Sequence, residues 1–399
     1  MPLNFDHLSG NSQIELMNDL VNLKIFSETV INFFDELSMK ILKDSYAREF
    51  PDLITFAFHI RKANISNIRD RYFDIEKLAC GRGLAYHIGP SNVPMNFAFS
   101  IFYSLLAGNA TIARLPSIDF PQVSLLISHI NRILDNKIHQ KISAYISLIK
   151  FDKNSDLSQH ISKLSMVRVI WGSDETVATV LKYQKKIKCK DLVFPSRVSW
   201  AIVSCHKVLD KKTDLNKLAH NFFNDTFSMD QNACSSPTQI FFLRDTNHTK
   251  KAKNIFWEAV HEIMISQKYE LNGAMIMNRE VASIDAIITK AHGWIDRQFL
   301  PYFHRVEIDI NAKDVMQFNV GGGLFFETEI DNLKCLDNYL SEQVQTITTH
   351  KENVQKVRKI LNETCPGQVD RVVPFGQALD FGPVWDGYDL IREMSQQKI

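Results

Sequence analysis

The sequence contains little glycine or proline, and its cysteines form no recognisable pattern. With 15 glycines and 12 prolines in 399 residues, the chain falls below the roughly 7% and 5% of average usage, which excludes collagen-like, linker-rich and disordered classes. The six cysteines lie far apart without a C-x-x-C pair, which argues against both a structural zinc site and a disulfide framework. We therefore expect reduced thiols in a well-packed cytoplasmic protein.

The chain also lacks an excess of charge of either sign and a long hydrophobic run. Lys and Arg total 46 and Asp and Glu total 45, a net charge of +1, so neither a nucleic acid nor an acidic membrane surface is an expected partner. The longest nearly apolar run, residues 97–107, is about half of the roughly 20 residues that a spanning helix requires, and predicts a buried helix. The first ten residues lack the pattern of a secretory signal.

Hydrophobic periodicity divides the chain into regions of different structure. Over the first 75 residues, apolar side chains recur at three- and four-residue spacing and predict two amphipathic helices. The members of the two stripes are Leu16, Leu20, Leu23 and Phe26, followed by Ile31, Phe34, Leu37 and Ile41. Beyond them, short apolar runs alternate with helical stretches, as parallel β-α-β units require. The predicted strands are residues 84–88, 110–113, 143–149, 167–171, 191–194 and 199–204.

This alternation predicts an α/β protein with a doubly wound nucleotide-binding domain and a second α/β domain. We expect a helical N-terminal segment over residues 1–75, a dinucleotide-binding domain over 76–205 and a catalytic domain over 206–365. Residues 366–399 are expected to form a C-terminal segment that packs back on the body, because their central part is rich in aromatic residues, glycine and proline and poor in charge.

One stretch is a candidate for phosphate binding. The usual dinucleotide fingerprint is missing, because Gly81 and Gly83 are not followed by a third glycine at the required spacing. At Trp171-Gly172-Ser173 an apolar strand ends in Gly-Ser before a helix, and exposed amides with the Ser173 hydroxyl can hold a pyrophosphate. The same residues equally describe an ordinary helix N-cap.

The segment 230–237 places Cys234 among small, polar, turn-forming residues. A nucleophilic thiol needs a partly open polar setting that lowers its pKa, whereas a cysteine retained for packing usually lies in an apolar run. On this local pattern both interpretations of Cys234 stay open. Cys205 next to His206 is a competing pair, but neighbouring residues on a strand point to opposite faces.

Three other motifs have different expected roles. Residues 89–94 form a strand-end turn that carries Asn92, whose side-chain amide can donate a hydrogen bond to a developing oxyanion. The run 321–323 of three glycines is expected to be a bulge or hinge instead of a ligand contact. His261 begins a zincin-like motif, but Ile265 takes the place of the second histidine, so no metal site is expected.

Taken together, these stretches resemble the aldehyde dehydrogenase superfamily and, more closely, its LuxC-type fatty-acyl-CoA reductase branch, known from bioluminescence operons. The resemblance covers about residues 83–390 and implies an aldehyde dehydrogenase-like fold. The turn 89–94 is similar to the superfamily's P-x-N-x-P segment, which implies that Asn92 forms half of an oxyanion hole. Residues 231–234 are similar to the G-Q-x-C segment, which implies that Cys234 is the catalytic nucleophile.

The resemblance also implies cofactor-binding residues in two turns. Those similar to the K-P-S and F-T-G-S turns of the superfamily are Arg114, Pro116, Ser117, Trp171, Gly172 and Ser173. The first turn contacts the adenosine side of the cofactor, and the second meets its pyrophosphate and nicotinamide. Leu115 aligns with the family lysine because one residue is inserted, and this leaves Arg114 as the substitute.

Two features resemble the reductase branch more than its aldehyde-oxidising relatives. Those relatives carry a glutamate before the catalytic cysteine that activates water to hydrolyse the acyl-enzyme, whereas the corresponding residues 194–199 contain no carboxylate. A protein without this base is expected to protect its thioester from water. Residues 344–346 and the tail 378–389 also suit the reductase branch, and the default interpretation of the tail is a docking function.

The resemblance implies reduction of a fatty acyl-CoA, or another acyl thioester, to a fatty aldehyde through an acyl-enzyme on Cys234. NADPH is the family expectation, with NADH as the alternative, since Arg114 suits either a 2′-phosphate or simple ribose contact. Implied partners are an acyl-activating or acyl-transferring enzyme and further copies of the chain. No general acid is identified, and water and the Ser196 hydroxyl both stay open. The rival interpretations are a cysteine acyltransferase without hydride transfer and a non-catalytic scaffold.

Overall fold

The computed structural model describes residues 5–90, 93–152, 155–245, 247–290 and 293–397. The chain forms two compact units. Unit 1 comprises Met1–Pro195 together with Phe381–Ile399, and unit 2 comprises Ser196–Asp380. None of the helices in the described ranges combines the length and apolar character that a membrane crossing requires.

Helices and strands alternate along most of the chain. The described α-helices are α1 (Glu28–Lys43), α2 (Pro51–His59), α3 (Lys62–Arg69), α4 (Asn96–Leu106), α5 (Pro121–Leu134), α6 (Gln140–Ser143), α7 (Leu157–Leu164), α8 (Asp174–Leu181), α9 (Cys205–Leu209), α10 (Leu215–Thr226), α11 (Thr249–Ser266), α12 (Gly273–Lys290), α13 (Ala312–Phe318), α14 (Val354–Thr364) and α15 (Leu390–Met394). The described strands are β1 (Asp6–Gly10), β2 (Ala79–Gly81), β3 (Leu84–Ile88), β4 (Ala110–Arg114), β5 (Ile146–Lys150), β6 (Val167–Trp171), β7 (Lys190–Phe194), β8 (Val198–Ser204), β9 (Pro237–Leu243), β10 (Trp294–Asp296), β11 (His304–Glu307), β12 (Leu324–Ile330), β13 (Val344–Thr349), β14 (Arg371–Pro374), β15 (Val384–Trp385), β16 (Tyr388–Asp389) and β17 (Ser395–Gln397).

Among its described residues, unit 1 contains a sheet with strand order β1-β5-β4-β3-β6-β7. All neighbours are parallel except β1, which pairs antiparallel with β5 at the edge. Every residue of β3 and of β6 is buried, as expected for parallel strands covered by helices on both faces. The doubly wound α/β prediction is confirmed.

The strand order of unit 1 contains a topological switch point, the feature at which doubly wound sheets form a crevice. The chain leaves β3 to form β4 on one side of it and later forms β6 on the other side, so the direction of winding reverses between β3 and β6. Ligands of doubly wound sheets bind at this switch point, beside the carboxyl ends of the strands. The turns after β3 and β6 are those that carry Asn92 and Gly172-Ser173 in the sequence.

The first of the two helices predicted near the N-terminus does not form. Its residues give only a short 3₁₀ turn, Leu16–Asp19, followed by a non-helical segment. In that segment Leu23 N donates to Gly108 O (3.0 Å), and Gly81 N donates to Leu23 O (3.0 Å). These backbone hydrogen bonds to distant residues override the helical spacing of the apolar side chains. The second stripe is found as predicted, buried along α1.

Unit 2 is built on a sheet with strand order β10-β11-β12-β9-β8-β13-β14 in its described residues. Only β10, at one edge, pairs antiparallel with its described neighbour. The chain passes from unit 1 to unit 2 between Pro195 and Ser196, whereas the sequence pattern predicts this boundary after residue 205. The difference arises because β8 hydrogen-bonds to β9 and β13 and therefore completes the second sheet.

The residues after β14 divide between the two units instead of forming one C-terminal segment. In unit 2, the Asp225 carboxylate on α10 accepts hydrogen bonds from Gly376 N (2.7 Å) and Ala378 N (2.8 Å). In unit 1, Phe381 stacks on Trp385 with ring centroids 4.3 Å apart. The tail that resembles the reductase branch is therefore anchored by buried polar groups in unit 2 and by aromatic packing in unit 1.

Asp225 gives a testable dependence of stability on pH. Burial raises the pKa of Asp225 to about 7, although the amides of Gly376 and Ala378 work to lower it. From about pH 4 to pH 7 the native protein keeps this proton while the unfolded chain releases it, so rising pH favours unfolding. At about 1.4 kcal/mol for each pKa unit, this group alone should lower the unfolding free energy by a few kcal/mol over that range.

The measurement is urea unfolding across this pH range for the wild type and for Asp225→Asn. We expect the Asp225→Asn protein to lose this component of the pH dependence. Asp285→Asn, at an exposed aspartate of α12, is the matched control and should retain it. An Asp225→Asn protein with an unaltered pH profile would contradict a protonated Asp225 in the native protein.

Candidate active site

Cys234 lies in a short loop of unit 2 between α10 and β9. A 3₁₀ turn, Phe227–Met229, follows α10, and the next two residues, Asp230 and Gln231, have left-handed backbone conformations with φ of 50° and 60°. Non-glycine residues rarely adopt this conformation unless surrounding contacts hold them there. The loop is therefore fixed by its environment, and it leaves the Cys234 side chain partly exposed.

The buried side chain of Gln231 cross-links this loop to the adjacent strands. Its Nε2 donates to Pro237 O (2.9 Å) and to Leu324 O (3.0 Å). Its Oε1 accepts from Gly323 N (2.9 Å) and Leu324 N (3.0 Å). Both ends of the amide are thus satisfied by backbone groups at the start of β9 and β12, so Gln231 holds the loop three residues before the thiol.

The glycine run 321–323 completes this support. All three glycines have positive φ, and Gly322 N donates to Asp230 O (2.9 Å). A Cβ atom on Gly321 would lie 3.0 Å from Asp230 O, which is closer than side chains normally approach. The run is therefore a backbone support for the cysteine loop, a more specific role than the bulge or hinge that the sequence predicts.

Hydrogen bonds also reach Cys234 itself. Gln345 Nε2 on β13 donates to Cys234 Sγ at 3.2 Å. Ser199 Oγ on β8 donates to Cys234 O at 2.8 Å and accepts from Thr346 N at 3.1 Å. Two consecutive residues of β13 thus position Cys234. Gln345 contacts its sulfur directly, and Thr346 acts through Ser199 on its carbonyl.

The environment of Cys234 differs from that of the competing cysteines. Cys205 is fully buried at the start of α9, where burial raises the pKa of its thiol to about 11. Burial also raises the pKa of the Cys189 thiol. A thiol with a raised pKa is a poor nucleophile near neutral pH. The partly exposed Cys234, with an amide donor at its sulfur, is the better candidate.

The turn after β6 in unit 1 combines the two alternatives that the sequence leaves open, a helix N-cap and an exposed turn. Ser173 is the N-cap of α8, because its Oγ accepts from Thr176 N at 3.3 Å. Ser173 is also exposed at the carboxyl end of β6. Asp174 and Glu175 add negative charge to the first turn of α8, which weakens the attraction of this helix terminus for an anion.

The Trp171 ring is part of the packing of unit 1. It is 5% exposed and stacks on Phe194 with ring centroids 3.8 Å apart and planes 8° from parallel. Its Nε1 donates to Ser100 Oγ at 3.3 Å. Trp171 therefore fixes the position of the turn, and only its neighbours Gly172 and Ser173 extend beyond the strand.

The predicted adenosine-side residues lie at the end of β4, where Arg114 is the last residue, and in the turn that follows it. The Arg114 guanidinium lies 4.9 Å from the centre of the Phe151 ring and donates to Phe151 O at 3.4 Å. Leu115 and Pro116 are buried, whereas Ser117 is exposed. Arg114 is thus held against Phe151 at the carboxyl end of β4, and Leu115 belongs to the hydrophobic core.

Asn92 lies outside the described residues. Within the described ranges no group of three or more His, Cys, Asp and Glu side chains is arranged to hold a metal ion. The stretch 194–199, which lacks the glutamate of aldehyde-oxidising relatives, ends in Ser199, and this residue donates to the Cys234 carbonyl. The stretch 194–199 thus contributes the Ser199 hydroxyl, which supports the Cys234 loop, and contains no carboxylate.

Comparisons with known proteins identify the family and the fold of the chain. The sequence model described as acyl-CoA reductase (LuxC) matches residues 15–270, more than half of the chain. The chain belongs to this family. Among individual members, the long-chain acyl-protein thioester reductase of Aliivibrio fischeri is 27% identical over 165 residues, which cover 41% of this chain and 33% of that protein. The Photorhabdus luminescens reductase is 22% identical over 293 residues, 70% of this chain and 56% of that protein.

Solved structures show that this LuxC-family chain has the aldehyde dehydrogenase fold. It matches PnpE in complex with nicotinamide adenine dinucleotide with a TM-score of 0.67 and 13% identity, covering 96% of this chain and 86% of that one. It matches 1-pyrroline-5-carboxylate dehydrogenase from Thermus with bound NAD with a TM-score of 0.64 and 11% identity, covering 98% and 85%. The matches to the Aliivibrio and Photorhabdus relatives span about a third to a half of their length.

The residues that position the thiol of this LuxC-family protein carry no local signal in the sequence that assigns them this role. Ser199 and Gln345 are 35 and 111 residues away from Cys234 in sequence, and no local pattern connects them. The resemblance noted at 344–346 was a signal for Gln345, but it gave that residue no role.

Proposed function

We propose that the protein reduces a long-chain acyl thioester to an aldehyde through a covalent thioester on Cys234. The observation that carries this proposal is the setting of Cys234, a partly exposed thiol on a fixed loop with the Gln345 amide at its sulfur. The stretch 194–199 offers no carboxylate to activate water. Such a thiol favours acyl transfer to sulfur, and the stretch 194–199 supplies no base for hydrolysis.

In the first step, the Cys234 thiolate attacks the carbonyl carbon of the donor thioester. A new carbon–sulfur bond forms, the carbonyl pair moves to oxygen, and collapse expels the donor thiolate. One thioester replaces another of similar energy. We assign Asn92 and the Cys234 backbone amide to the oxyanion, where a donor in comparable sites contributes on the order of 3 kcal/mol.

The cofactor proposed for the second step is a reduced nicotinamide dinucleotide bound by unit 1. The switch-point crevice and the exposed turn at Gly172 and Ser173 fit a dinucleotide, although the acidic first turn of α8 favours contact with backbone amides and the Ser173 hydroxyl over a strong phosphate cradle. When bound, this group supplies the hydride that reduces the acyl carbon. Arg114 is the residue we assign to the ribose or to a 2′-phosphate, with NADPH as the preferred cofactor and NADH as the alternative.

The proposed donor is a long-chain acyl group carried as a thioester on coenzyme A or on a protein. Support for both carriers comes from the family description, acyl-CoA reductase, and from relatives named acyl-protein thioester reductases. A protein carrier implies a partner enzyme that loads it. Assembly with further copies of the chain is part of the same proposal.

The test is intact-mass measurement after mixing the protein with a panel of acyl-CoAs and then with NADPH or NADH. We expect an adduct equal to the acyl group, stable in buffer and lost on addition of reduced cofactor, with release of aldehyde. An adduct that persists with both cofactors but transfers to an added thiol would instead indicate an acyltransferase. A protein that acquires no acyl group from any donor, including acyl-protein, would overturn the proposal.

A further inference from the structure

The position of Gln345 is unusual because its side-chain amide contacts a reactive atom. The residue is fully buried, and its Nε2 lies 3.2 Å from Cys234 Sγ. An amide N–H donates a hydrogen bond but does not take up a proton at neutral pH. Gln345 is therefore equipped to stabilise negative charge on sulfur and cannot act as a general base toward water.

The contact is held from both sides by the sheet of unit 2. Gln345 O accepts from Asp370 N at 3.1 Å, which fixes the backbone on the β14 side. On the β8 side, Thr346 N donates to Ser199 Oγ, and Ser199 in turn binds Cys234 O. The amide and the thiol are thus positioned by the same pair of strands, so that little reorganisation is required when charge develops on sulfur.

We propose that Gln345 is a catalytic residue that stabilises the Cys234 thiolate both when it attacks and when it leaves. This inference rests on the proposed function. In the first half-reaction, the N–H bond of Gln345 points at the thiolate and raises its population. In the second half-reaction, addition of hydride to the acyl carbon leaves a negative charge on the former carbonyl oxygen. The oxyanion pair re-forms the C=O bond, the carbon–sulfur bond breaks, and its electron pair stays on the sulfur that Gln345 contacts.

With Gln345 in this role, aldehyde release requires no general acid, a group for which the sequence offers no clear candidate. Breakdown of the hemithioacetal oxyanion to an aldehyde and a thiolate needs no proton, because the leaving sulfur is charged. The hydroxyl of Ser196 and water are then unnecessary in this step. Hydrogen bonds to charged groups contribute more than those between neutral groups, so the benefit of Gln345 is greatest when sulfur carries charge.

The first experiment measures the rate of Cys234 alkylation by iodoacetamide as a function of pH, which requires neither acyl donor nor cofactor. Gln345→Met keeps the length of the side chain but removes the donor. We expect its rate at pH 7 to fall about ten- to hundredfold, the equivalent of one to two pKa units, and to approach the wild-type rate at high pH. Gln345→Glu should show a shift in the same direction, because a carboxylate repels the thiolate.

Gln298→Met, at an exposed glutamine of unit 2, is the matched control and should leave the alkylation profile unchanged. Thermal unfolding establishes that each variant is folded before its rate is compared. If Gln345→Met and Gln345→Glu both fold and both keep the wild-type pH midpoint, Gln345 does not stabilise the thiolate and the inference is wrong.

The second experiment separates the two halves of the inference. After acyl loading of the wild type and of Gln345→Met at high pH, where the thiolate forms without help, single-turnover aldehyde release on addition of reduced cofactor is expected to be about tenfold slower in the variant. Equal release rates would remove Gln345 from the second half-reaction. If the wild type forms no acyl adduct, the proposed function fails, while the alkylation profile still decides whether Gln345 stabilises the thiolate.

Discussion

Cys234→Ala is expected to abolish acyl loading and to reduce aldehyde formation by at least about a thousandfold, because it removes the sulfur that we propose carries the acyl group. The substitution removes one partly exposed sulfur and keeps the loop, whose fixed conformation depends on Gln231 and the glycine run 321–323. The unfolding midpoint should therefore change little. Intact mass after incubation with acyl-CoA or acyl-protein, together with a coupled aldehyde assay, measures both effects.

Cys365→Ala provides the matched control for Cys234→Ala. Cys365 is also a partly exposed cysteine of unit 2, but it follows α14 and binds Asp337 Oδ1 at 3.6 Å through its sulfur. Its variant should load and reduce acyl groups at the wild-type rate. An acyl adduct that persists in Cys234→Ala and disappears in Cys365→Ala would show that the nucleophile is Cys365 and that the assignment of Cys234 is wrong.

Lys253→Ala is expected to cost about 3–5 kcal/mol of unfolding free energy, the range observed when one partner of a buried ion pair is removed. Lys253 Nζ on α11 lies 2.9 Å from Glu307, 3.0 Å from Glu327 and 3.2 Å from Glu329. Burial works to lower the pKa of Lys253, but these carboxylates outweigh it and raise that pKa. Glu327 is 1% exposed, so its charge cannot be solvated after the ammonium is lost, and Arg305, at 3.0 Å, is the described partner that still offsets it.

The loss is measured by urea unfolding at neutral pH, with a probe that follows unit 2. Lys359→Ala is the control, because Lys359 forms a pair with Glu363 at 3.9 Å in which both side chains are mainly exposed. Exposed pairs of this kind contribute roughly 0–1 kcal/mol. Equal stability losses in the two variants would show that the carboxylates around Lys253 are not held as a buried network.

The central strands of unit 1 are predicted well because each is specified by its own short run of residues. Apart from His87 in β3 and Arg168 in β6, these two strands are made of apolar and aromatic residues, and only a strand covered on both faces buries every side chain. Edge elements are less predictable. β1 is partly exposed, and its pairing with β5 joins residues more than a hundred positions apart. The extended segment around Leu23 likewise depends on hydrogen bonds to the distant residues Gly81 and Gly108.

The candidate site shows the same division between local and distant causes. Cys234 is recognisable from its small polar neighbours together with the resemblance of residues 231–234 to a known segment. The Gln345 donor cannot be predicted from either, because it reaches the sulfur only when β8, β9 and β13 are assembled. Asn92 stays a prediction from sequence, and so do the assignments of Arg114 and Ser173 to a cofactor.

The divided course of the chain has a consequence during synthesis on the ribosome. Phe381 and Trp385 pack in unit 1 beside Trp171, and β17 pairs with β2, yet Ser196–Asp380 must be translated before these residues exist. While the second unit is being translated, the aromatic surface of unit 1 that Phe381 and Trp385 later cover is therefore still exposed. Premature termination between residues 196 and 380 would leave that surface open to chaperones and proteases.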